Sequence, residues 1–596
     1  MKITSKQLRR LWIDFYVERG HKDVGAVSLI SEGDTTVLFN VAGMQPIMPY
    51  LLGQPHPLGR RLVNIQGCIR TNDIEEVGDE RHLTFFEMMG SWSLGDYFKE
   101  ERTKWSFELL TKVFGFSARR LAATVFEGDK NAPRDDETAK LREKSGFLKQ
   151  NIYYLGKKDN WWELERGPCG PDSEMFYITD KPACGKNCNP ACNCGRFVEI
   201  GNDVFMQYER VDKDKYIPLK SKNVDTGWGF ERNLAFLNGT DDVYKTDLFA
   251  GTIKLLEKQT DIKYLSQDKY TKAYRIICDH IRTSAMLLGD QNKVVPSNVG
   301  AGYILRRLLR RAIRYANSIN LGNNILTEIA LIFINGIYDE SYPNLKANKN
   351  FIVDEINKEC EKFNKTLTGG IKEFNKLIEN QAKFSPDNKV LSGDKVFRLY
   401  DTFGFPMELT KEMAAEHGFA VDEAGYGRAF KTHQEKSKTA DAGVFKGGLA
   451  EQGIETTKLH TATHLLHNAL IRVLNGECRQ MGSNINPERL RFDFAFNRKL
   501  TDEELKKTEN LVNEAIKKCI PVVSYVATVD EAKSRGAIGI FDSKYGEKVT
   551  VYEIAGFGSE ICGGPHVKNT KELGRFKIIK EEASSAGVRR IKAVLE

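Results

Sequence analysis

The clearest chemistry in this sequence lies in two short motifs toward its C-terminal end. His460 and His464 stand four apart in HTATH, and Cys562 and His566 stand four apart in CGGPH about a hundred residues later. Three imidazoles and one thiolate make a complete tetrahedral donor set of zinc type. Leu459, Ala462, Leu465, Leu466, Ala469, Leu470 and Val473 recur at helical spacing. The first pair must therefore ride on a helix with both rings on one face. Gly563 and Gly564 give the second pair a turn that can wrap closely around an ion. A zinc held by all four residues is structural, whereas one that keeps an exchangeable position can bind or activate water or substrate; spacing alone does not choose. A second donor set, Cys184, Cys188, Cys192 and Cys194, lies in CGKNCNPACNCG, where Gly, Asn and Pro between the thiols suit a compact zinc knuckle.

The N-terminal half carries a different chemistry. Arg70 follows the strand-like run LVNIQGCI and precedes the acidic loop TNDIEEVGDE; an aromatic run, RHLTFFEMMGSWSLGDYF, then returns. Far downstream stands VDTGWGFER, Val224 to Arg232. An arginine on a strand, a loop, a returning aromatic strand and a distant GxGxxR suit ATP bound on an antiparallel sheet. Arginine offers planar, permanently charged donors to phosphate oxygens. Phe85 or Phe86 is placed to stack on adenine, Gly227 and Gly229 leave room for a ligand, and Arg232 reaches toward the terminal phosphates.

These groups must be positioned by several domains. At 596 residues the chain has room for about three or four. Its 41% hydrophobic and 28% charged residues are ordinary for globular protein, and a net charge of +7 confines any nucleic-acid surface to a local patch. No run of 18 apolar residues spans a membrane, and MKITSKQLRRLW lacks a signal-peptide core. Eleven cysteines in a chain this long read as reduced thiols and metal ligands, so the expected compartment is the cytoplasm. The expected fold class is α+β and multidomain. Residues 1–240 are rich in strands, 241–436 are mostly helical, 437–457 read as a linker, and 458–596 mix helix and strand. Within the helical part, Leu305, Leu308, Leu309 and Ala312 mark an apolar face. Arg306, Arg307, Arg310, Arg311 and Arg314 crowd the same helix, and that density favours contact with phosphates.

The N-terminal segments resemble motifs 2 and 3 of class II aminoacyl-tRNA synthetases, and the detail resembles the alanyl-tRNA synthetases. VAGMQP at Val41 to Pro46, the Arg70 segment through GSWSLGDYF, GPCGPDSEMFY at Gly167 to Tyr177, EIGNDVFMQY at Glu199 to Tyr208 and VDTGWGFER all match. HTATHLLH, CGGPHV and AGVRRIKAV at Ala586 to Val594 match the family's editing domain. The resemblance covers nearly the whole chain.

It implies a catalytic antiparallel sheet over 1–240, a helical tRNA-recognition domain over 241–436 and a zinc-dependent editing domain over 458–596. It implies ATP-dependent attachment of alanine to tRNA(Ala) through alanyl-adenylate, with Mg²⁺ accompanying ATP and no dedicated protein base. Arg70, Asp225 and Arg232 would be catalytic: Arg70 at the α-phosphate, Arg232 at the γ-phosphate, Asp225 on the alanine ammonium. His82, Phe86, Met88, Trp162, Asn202, Gly227 and Gly229 would complete the ATP and alanine pocket. Asn298 and Asp401 would read a G·U wobble pair, with Arg306, Arg310 and Arg314 on the tRNA backbone. An alanine pocket excludes glycine by only about 1–3 kcal/mol and rejects serine poorly, so hydrolysis of Ser-tRNA(Ala) and Gly-tRNA(Ala) in a second site is expected. Gln480 and the zinc quartet belong to that site.

Two positions depart from the family pattern. Ala301 stands where the family has arginine, and Pro565 replaces a threonine and removes a backbone donor. The β-barrel that commonly precedes the editing domain and the coiled coil and C-terminal domain that follow it have no counterpart here, which leads to the expectation of a monomer. Two other functions compete. A free-standing hydrolase of mischarged tRNA would use only the last segment, and a non-catalytic RNA-binding regulator would not need Arg70, Asp225 and Arg232.

Overall fold

A computed structural model of the chain describes residues 2–596 apart from 32–36, 73, 164–165, 214, 323, 443–452, 477, 540–548 and 586; of 434–442 and 585 only the backbone is described. The residues pack as two units. One comprises Met1–Asn388 with Arg398–Gly418, the other Lys389–Phe397 with Phe419–Glu596.

The first unit is built on one mixed, mainly antiparallel sheet. Its strands are β1 (Lys22–Asp23), β2 (Arg61–Ile69), β3 (Phe85–Leu94), β4 (Leu121–Phe126), β5 (Ile152–Leu155), β6 (Trp161–Trp162), β7 (Gly167–Ile178), β8 (Phe197–Asp212) and β9 (Lys215–Gly229). They lie in the order β1-β2-β3-β9-β8-β7-β4-β5, with β6 paired to β7. Alternate residues of a strand face opposite sides, so β3 splits into two sets. Phe85, Glu87, Met89 and Ser91 turn to the buried side and are almost fully enclosed. Phe86, Met88, Gly90 and Trp92 share the other side.

The buried side is sealed by aromatic rings and by a charged cluster. Trp12, on the helix Ser5–Val17, lies 5.3 Å from Trp228 between ring centroids, and both are fully enclosed. Asp203 of β8 meets Arg142 at 2.8 Å and Arg102 at 3.4 Å, all three without solvent exposure. Buried charges persist only when paired in this way. The long helix Asp268–Gly289 then ties the sheet to the helices that follow it. Its Asp279 accepts the Thr84 backbone N–H at 2.9 Å, and its Arg282 donates to Glu231 at 2.9 Å. The entry to β3 and the end of the VDTGWGFER segment are therefore held by one helix.

The second unit has a short parallel pair, β10 (Val390–Leu391) and β11 (Ala420–Val421). It also has a four-stranded antiparallel sheet made of β12 (Arg479–Asn486), β13 (Arg489–Ala495), β17 (Phe576–Ser585) and β18 (Val588–Leu595), ordered β12-β13-β18-β17. A second sheet orders β14 (Val522–Ala527), β15 (Val549–Ile554) and β16 (Gly558–Ile561) consecutively. The helix Ile454–Val473 is buried on every side from Leu459 to Leu470. Such a helix has no solvent face and belongs to the interior. Its leucines join Phe492, Phe494, Val512 and Ile591 in the main core of this unit. The segment 437–457, read as a linker, is helical at both ends: its first residues close the helix Glu423–Ala442, and Ile454 opens the next. Residues 443–452 of that segment, Asp73 of the acidic loop and Ala586 of the last motif lie outside the described residues.

Candidate functional site

The open side of the first unit's sheet is set by strand register. Directly opposed residues in antiparallel strands face the same side. Leu62, Trp92, Asp225, Val204 and Asp172 form one row across β2, β3, β9, β8 and β7. Asn64, Gly90, Gly227, Asn202 and Glu174 form the next. Gln66, Met88 and Gly229 follow, and Cys68 with Phe86 lies beyond. Register thus brings Phe86, Met88, Asn202, Asp225, Gly227 and Gly229 onto one surface, although the sequence separates them by more than a hundred residues.

Asp225 is the anionic centre of this surface. Its carboxylate is buried, accepts the Trp92 indole N–H at 2.7 Å and is pushed up to about 7 by burial, against the pull of that hydrogen bond. A carboxylate held this way gains from a nearby cation. One strand away, Asn202 donates through Nδ2 to Asp172 at 3.1 Å, while its buried Oδ1 has no partner. Buried acceptors are normally satisfied, so this oxygen suits a ligand's N–H or O–H. Trp162, half-buried on β6, packs with Met44, Trp92 and Val204 and closes the apolar side. Burial also lifts Asp172 to about 7, and Glu174, near Glu199 and Asp172, to about 10.

At the β2–β3 end, the exposed Arg70 guanidinium lies 4.9 Å from the Phe86 ring. Phe85 does not share this role. It is fully enclosed against Arg282 and the Tyr338 ring, because its place in the strand turns it inward. Of the two rings considered for adenine, only Phe86 faces the surface. His82 is half-exposed, with Nδ1 2.6 Å from Asp79. Arg232 pairs with Glu199 at 3.2 Å. A Cβ on Gly227 would come 2.8 Å from the Met88 sulfur, whereas one on Gly229 would meet only Arg232 at 3.7 Å. Gly227 therefore makes way for Met88 rather than directly for a ligand.

The arginine-rich helix Gly300–Ser318 carries the residues expected to meet tRNA. Leu305, Leu308, Leu309 and Ala312 are buried as its apolar face requires. Its guanidinium groups, however, are taken up by carboxylates of the same unit. Arg310 is buried, donates to Glu359 at 2.7 Å and also binds the Gly404 carbonyl. Arg311 pairs with Glu412 at 2.7 Å, Arg314 with Glu416 and Glu412, Arg307 with Glu75 and Glu408. Arg306 lies 3.5 Å from Glu359 and binds Asn298 Oδ1. Arg310 is buried and neutralised by Glu359, whereas Arg306 and Arg314 are half-buried and paired with carboxylates, so a phosphate contact by any of the three would exchange one of these partners. The helix also braces the two exposed positions expected to read bases: Arg306 holds Asn298, and Arg310 holds the carbonyl three residues beyond Asp401.

In the second unit, the four candidate ligand atoms of His460, His464, Cys562 and His566 lie within 4.8 Å of one another. His460 and His464 project from one helix face, with ring centroids 5.1 Å apart. Cys562 follows β16 and is anchored by its own N–H to the Thr550 carbonyl at 3.0 Å. Its sulfur lies 3.4 Å from His460 Nε2. The Pro565 carbonyl, 3.1 Å from His460 Nδ1, fixes that nitrogen as the donor and leaves Nε2 for a metal. The proline that departs from the family pattern thus takes part through its carbonyl, where its missing N–H is immaterial. Thr461 holds His566 Nδ1 at 3.1 Å, and His566 Nε2 is buried without a partner. Burial pulls His460 down to about 4, His566 to about 2 and His464 well below the usual range, and lifts the Cys562 thiol to about 11. Neutral imidazoles and one orphaned nitrogen around a shared point fit a thiophilic, nitrogen-binding cation.

Glu560, two residues before Cys562, was not anticipated. It is buried, lies 3.0 Å from His467 Nδ1 and 3.7 Å from His464 Nε2, and accepts from Asn468 at 2.9 Å. Gln480 sits half-buried at a β-bulge of β12. In the first unit, the sulfurs of Cys184, Cys188 and Cys192 also lie within 4.8 Å of one another; Cys194 falls outside that mutual spacing but stands 3.7 Å from Cys188. Among the described residues, no helix is long and apolar enough to cross a membrane.

Residues 7–475 match the family described as tRNA synthetases class II (A), and residues 549–592 match the second additional domain of threonyl and alanyl tRNA synthetases. An alanine–tRNA ligase of Borreliella afzelii is 50% identical over 597 residues, covering 100% of both chains. One from Treponema denticola is 50% identical over 601 residues, covering 100% of this chain and 99% of the relative. A more distant one, from Petrotoga mobilis, is 35% identical over 710 residues, covering 99% of this chain and 80% of the relative.

Proposed function

The chain belongs to the alanine–tRNA ligase family of class II aminoacyl-tRNA synthetases, and from that premise we propose that the open side of its nine-stranded sheet binds ATP and alanine. Its activity is the ATP-dependent joining of alanine to tRNA(Ala). The observation that carries the site assignment is Asp225: a buried carboxylate, held by Trp92, with no cation beside it among the described residues, next to the open acceptor of Asn202.

The alanine ammonium pairs with Asp225 and donates one hydrogen bond to Asn202 Oδ1. Its methyl group lies toward Trp162 and Val204. Adenine stacks on Phe86, and Arg70, already against that ring, neutralises the α-phosphate. Attack of the alanine carboxylate oxygen on the α-phosphorus forms the mixed anhydride and releases pyrophosphate. Arg232 reaches the γ-phosphate by exchanging Glu199 for it. Asp172, Glu174 and Glu199 offer the oxygen donors that would hold the Mg²⁺ of ATP, which would offset phosphate charge. Positioning and charge neutralisation supply the rate; no side chain must take a proton in the activation step. The acceptor-stem partner is tRNA(Ala), with Asn298 and Asp401 as the base readers.

The second unit hydrolyses tRNA(Ala) charged with serine or glycine. His460, His464, Cys562 and His566 would hold Zn²⁺, which would supply a fixed positive centre for the 3′ end of the mischarged tRNA. Pro565 and Thr461 set the tautomers of His460 and His566, and Glu560 fixes the helix that carries His464. Ser-tRNA(Ala) deacylation by the full chain, lost in His460→Ala while alanylation persists, is the expected result. Equal deacylation by the variant would refute the assignment.

A further inference from the structure

The Cys-rich connection between β7 and β8 is not used by either activity described above. It runs from Thr179 to Arg196 without a helix or strand. A connection of this length in a compact unit is uncommon unless something staples it. Its base is closed by hydrogen bonds: the Thr179 N–H to the Arg196 carbonyl at 2.8 Å, the Thr179 hydroxyl to the Gly195 carbonyl at 2.9 Å, and Arg196 to the Lys181 carbonyl at 2.9 Å. Its tip is closed by two successive turns, Cys188 N–H to Gly185 and Cys192 N–H to Asn189. Four thiols are distributed along this stretch, at positions 184, 188, 192 and 194.

We propose that Cys184, Cys188, Cys192 and Cys194 hold one Zn²⁺, distinct from the imidazole–thiol quartet, and that this ion clasps the β7–β8 turn of the activation site. Four sulfurs around zinc at about 2.3 Å form a tetrahedron with edges of about 3.8 Å. Cys188 and Cys194 already stand 3.7 Å apart, and the sulfurs of Cys184, Cys188 and Cys192 lie within 4.8 Å of one another. Apolar burial does not draw them together: Cys184 is exposed, and only Cys188 packs against the Phe176 and Phe197 cluster. All four thiols are free.

Charge points to the same cation. Four thiolates around Zn²⁺ leave a net charge of about −2. The connection contains Lys181, Lys186 and Arg196, and its one carboxylate, Asp180, is paired with Arg120. It therefore offsets a tetrathiolate centre and offers nothing to an oxygen-preferring ion. The consequence reaches the sheet. β8 begins directly after the clasp and carries Glu199, the partner of Arg232, opposite Phe176 of β7, with Glu174 and Asp172 further along β7 opposite Asn202 and Val204. The ion fixes the register of these strands where Arg232 is held; this second step rests on the ATP-site reading, whereas the metal site does not.

Metal content of the full chain separates the two claims. About two zinc ions per chain are expected, falling to one in Cys184→Ser/Cys188→Ser and to one in His460→Ala/His464→Ala. Cobalt loaded into the His variant, whose cysteines are intact, should give the thiolate charge-transfer absorption of a tetrathiolate centre. Absence of that absorption, or zinc content unchanged by the Cys substitutions, overturns the site. Loss of the clasp ion should raise the KM for ATP severalfold and leave Ser-tRNA(Ala) deacylation unchanged. An unaltered KM in a Cys variant shown to lack the ion overturns the clasp.

Discussion

The Trp92 indole N–H meets Asp225 Oδ1 at 2.7 Å, and both side chains are buried. Trp92 is a donor only, so the pair leaves the carboxylate oriented but not neutralised. A carboxylate oriented in this way suits a cation such as an α-ammonium group.

This relationship fixes a pH dependence. Asp225 sits at about 7 in the unliganded protein, above the value near 3.9 of an unfolded aspartate. The folded pocket holds the proton more tightly, so this group's contribution to stability is present at low pH and is lost as pH rises through about 7. Alanine needs the ionised form. The KM for alanine should fall as pH rises through about 7 and then level off. In Asp225→Asn this step should vanish; a step that persists would move the titrating group to Asp172, which also lies near 7.

Phe86 and Phe85 are adjacent and point to opposite sides, which gives a paired test. Phe86→Ala should raise the KM for ATP by roughly five- to a hundredfold, the loss of one base-stacking contact of about 1–3 kcal/mol, with a near-normal melting temperature. Phe85→Ala should instead destabilise the fold by about 3–5 kcal/mol. Steady-state kinetics and thermal melts on both variants decide.

Arg310 should behave as scaffold. Its partner Glu359 is buried with it, and removing one member of such a pair costs about 3–5 kcal/mol. Arg310→Ala should lower the melting temperature while the salt dependence of tRNA binding keeps its slope. A direct phosphate contact would instead reduce that slope by about 0.9.

Glu560 should tune the metal through the helix that bears His464. Glu560→Gln should weaken Zn²⁺ binding by about 10- to 100-fold in chelator competition, the usual effect of losing an outer-shell partner. Alanine activation should be unaffected. Zinc affinity equal to that of the parent would remove Glu560 from the site.

The residues legible in the sequence are those whose spacing is itself the geometry. His460 and His464 share a face because a helix repeats every 3.6 residues, and the leucines around them state that a helix is present. The set Phe86, Met88 and Trp92 follows from the period of a strand; the motif match supplied the first two, and continuing the alternation would have found Trp92. Partners distant in sequence were not legible. Five arginines between Arg306 and Arg314 look the same whether they face phosphates or buried carboxylates, and the deciding residues, Glu359, Glu412 and Glu416, lie about fifty to a hundred positions away. Glu560 was hidden for the same reason: its meaning depends on a helix ninety-odd residues earlier.

The central claim is that this sheet activates alanine. Alanine-dependent exchange of pyrophosphate into ATP by the full chain, run beside serine and glycine, tests it most directly. Exchange should be strongest with alanine, weaker with serine and glycine, and reduced at least about thirtyfold in Arg70→Ala, the equivalent of about 2 kcal/mol lost from a charge-assisted phosphate contact. Exchange in Arg70→Ala as fast as in the parent, or none with alanine in the parent, would contradict it.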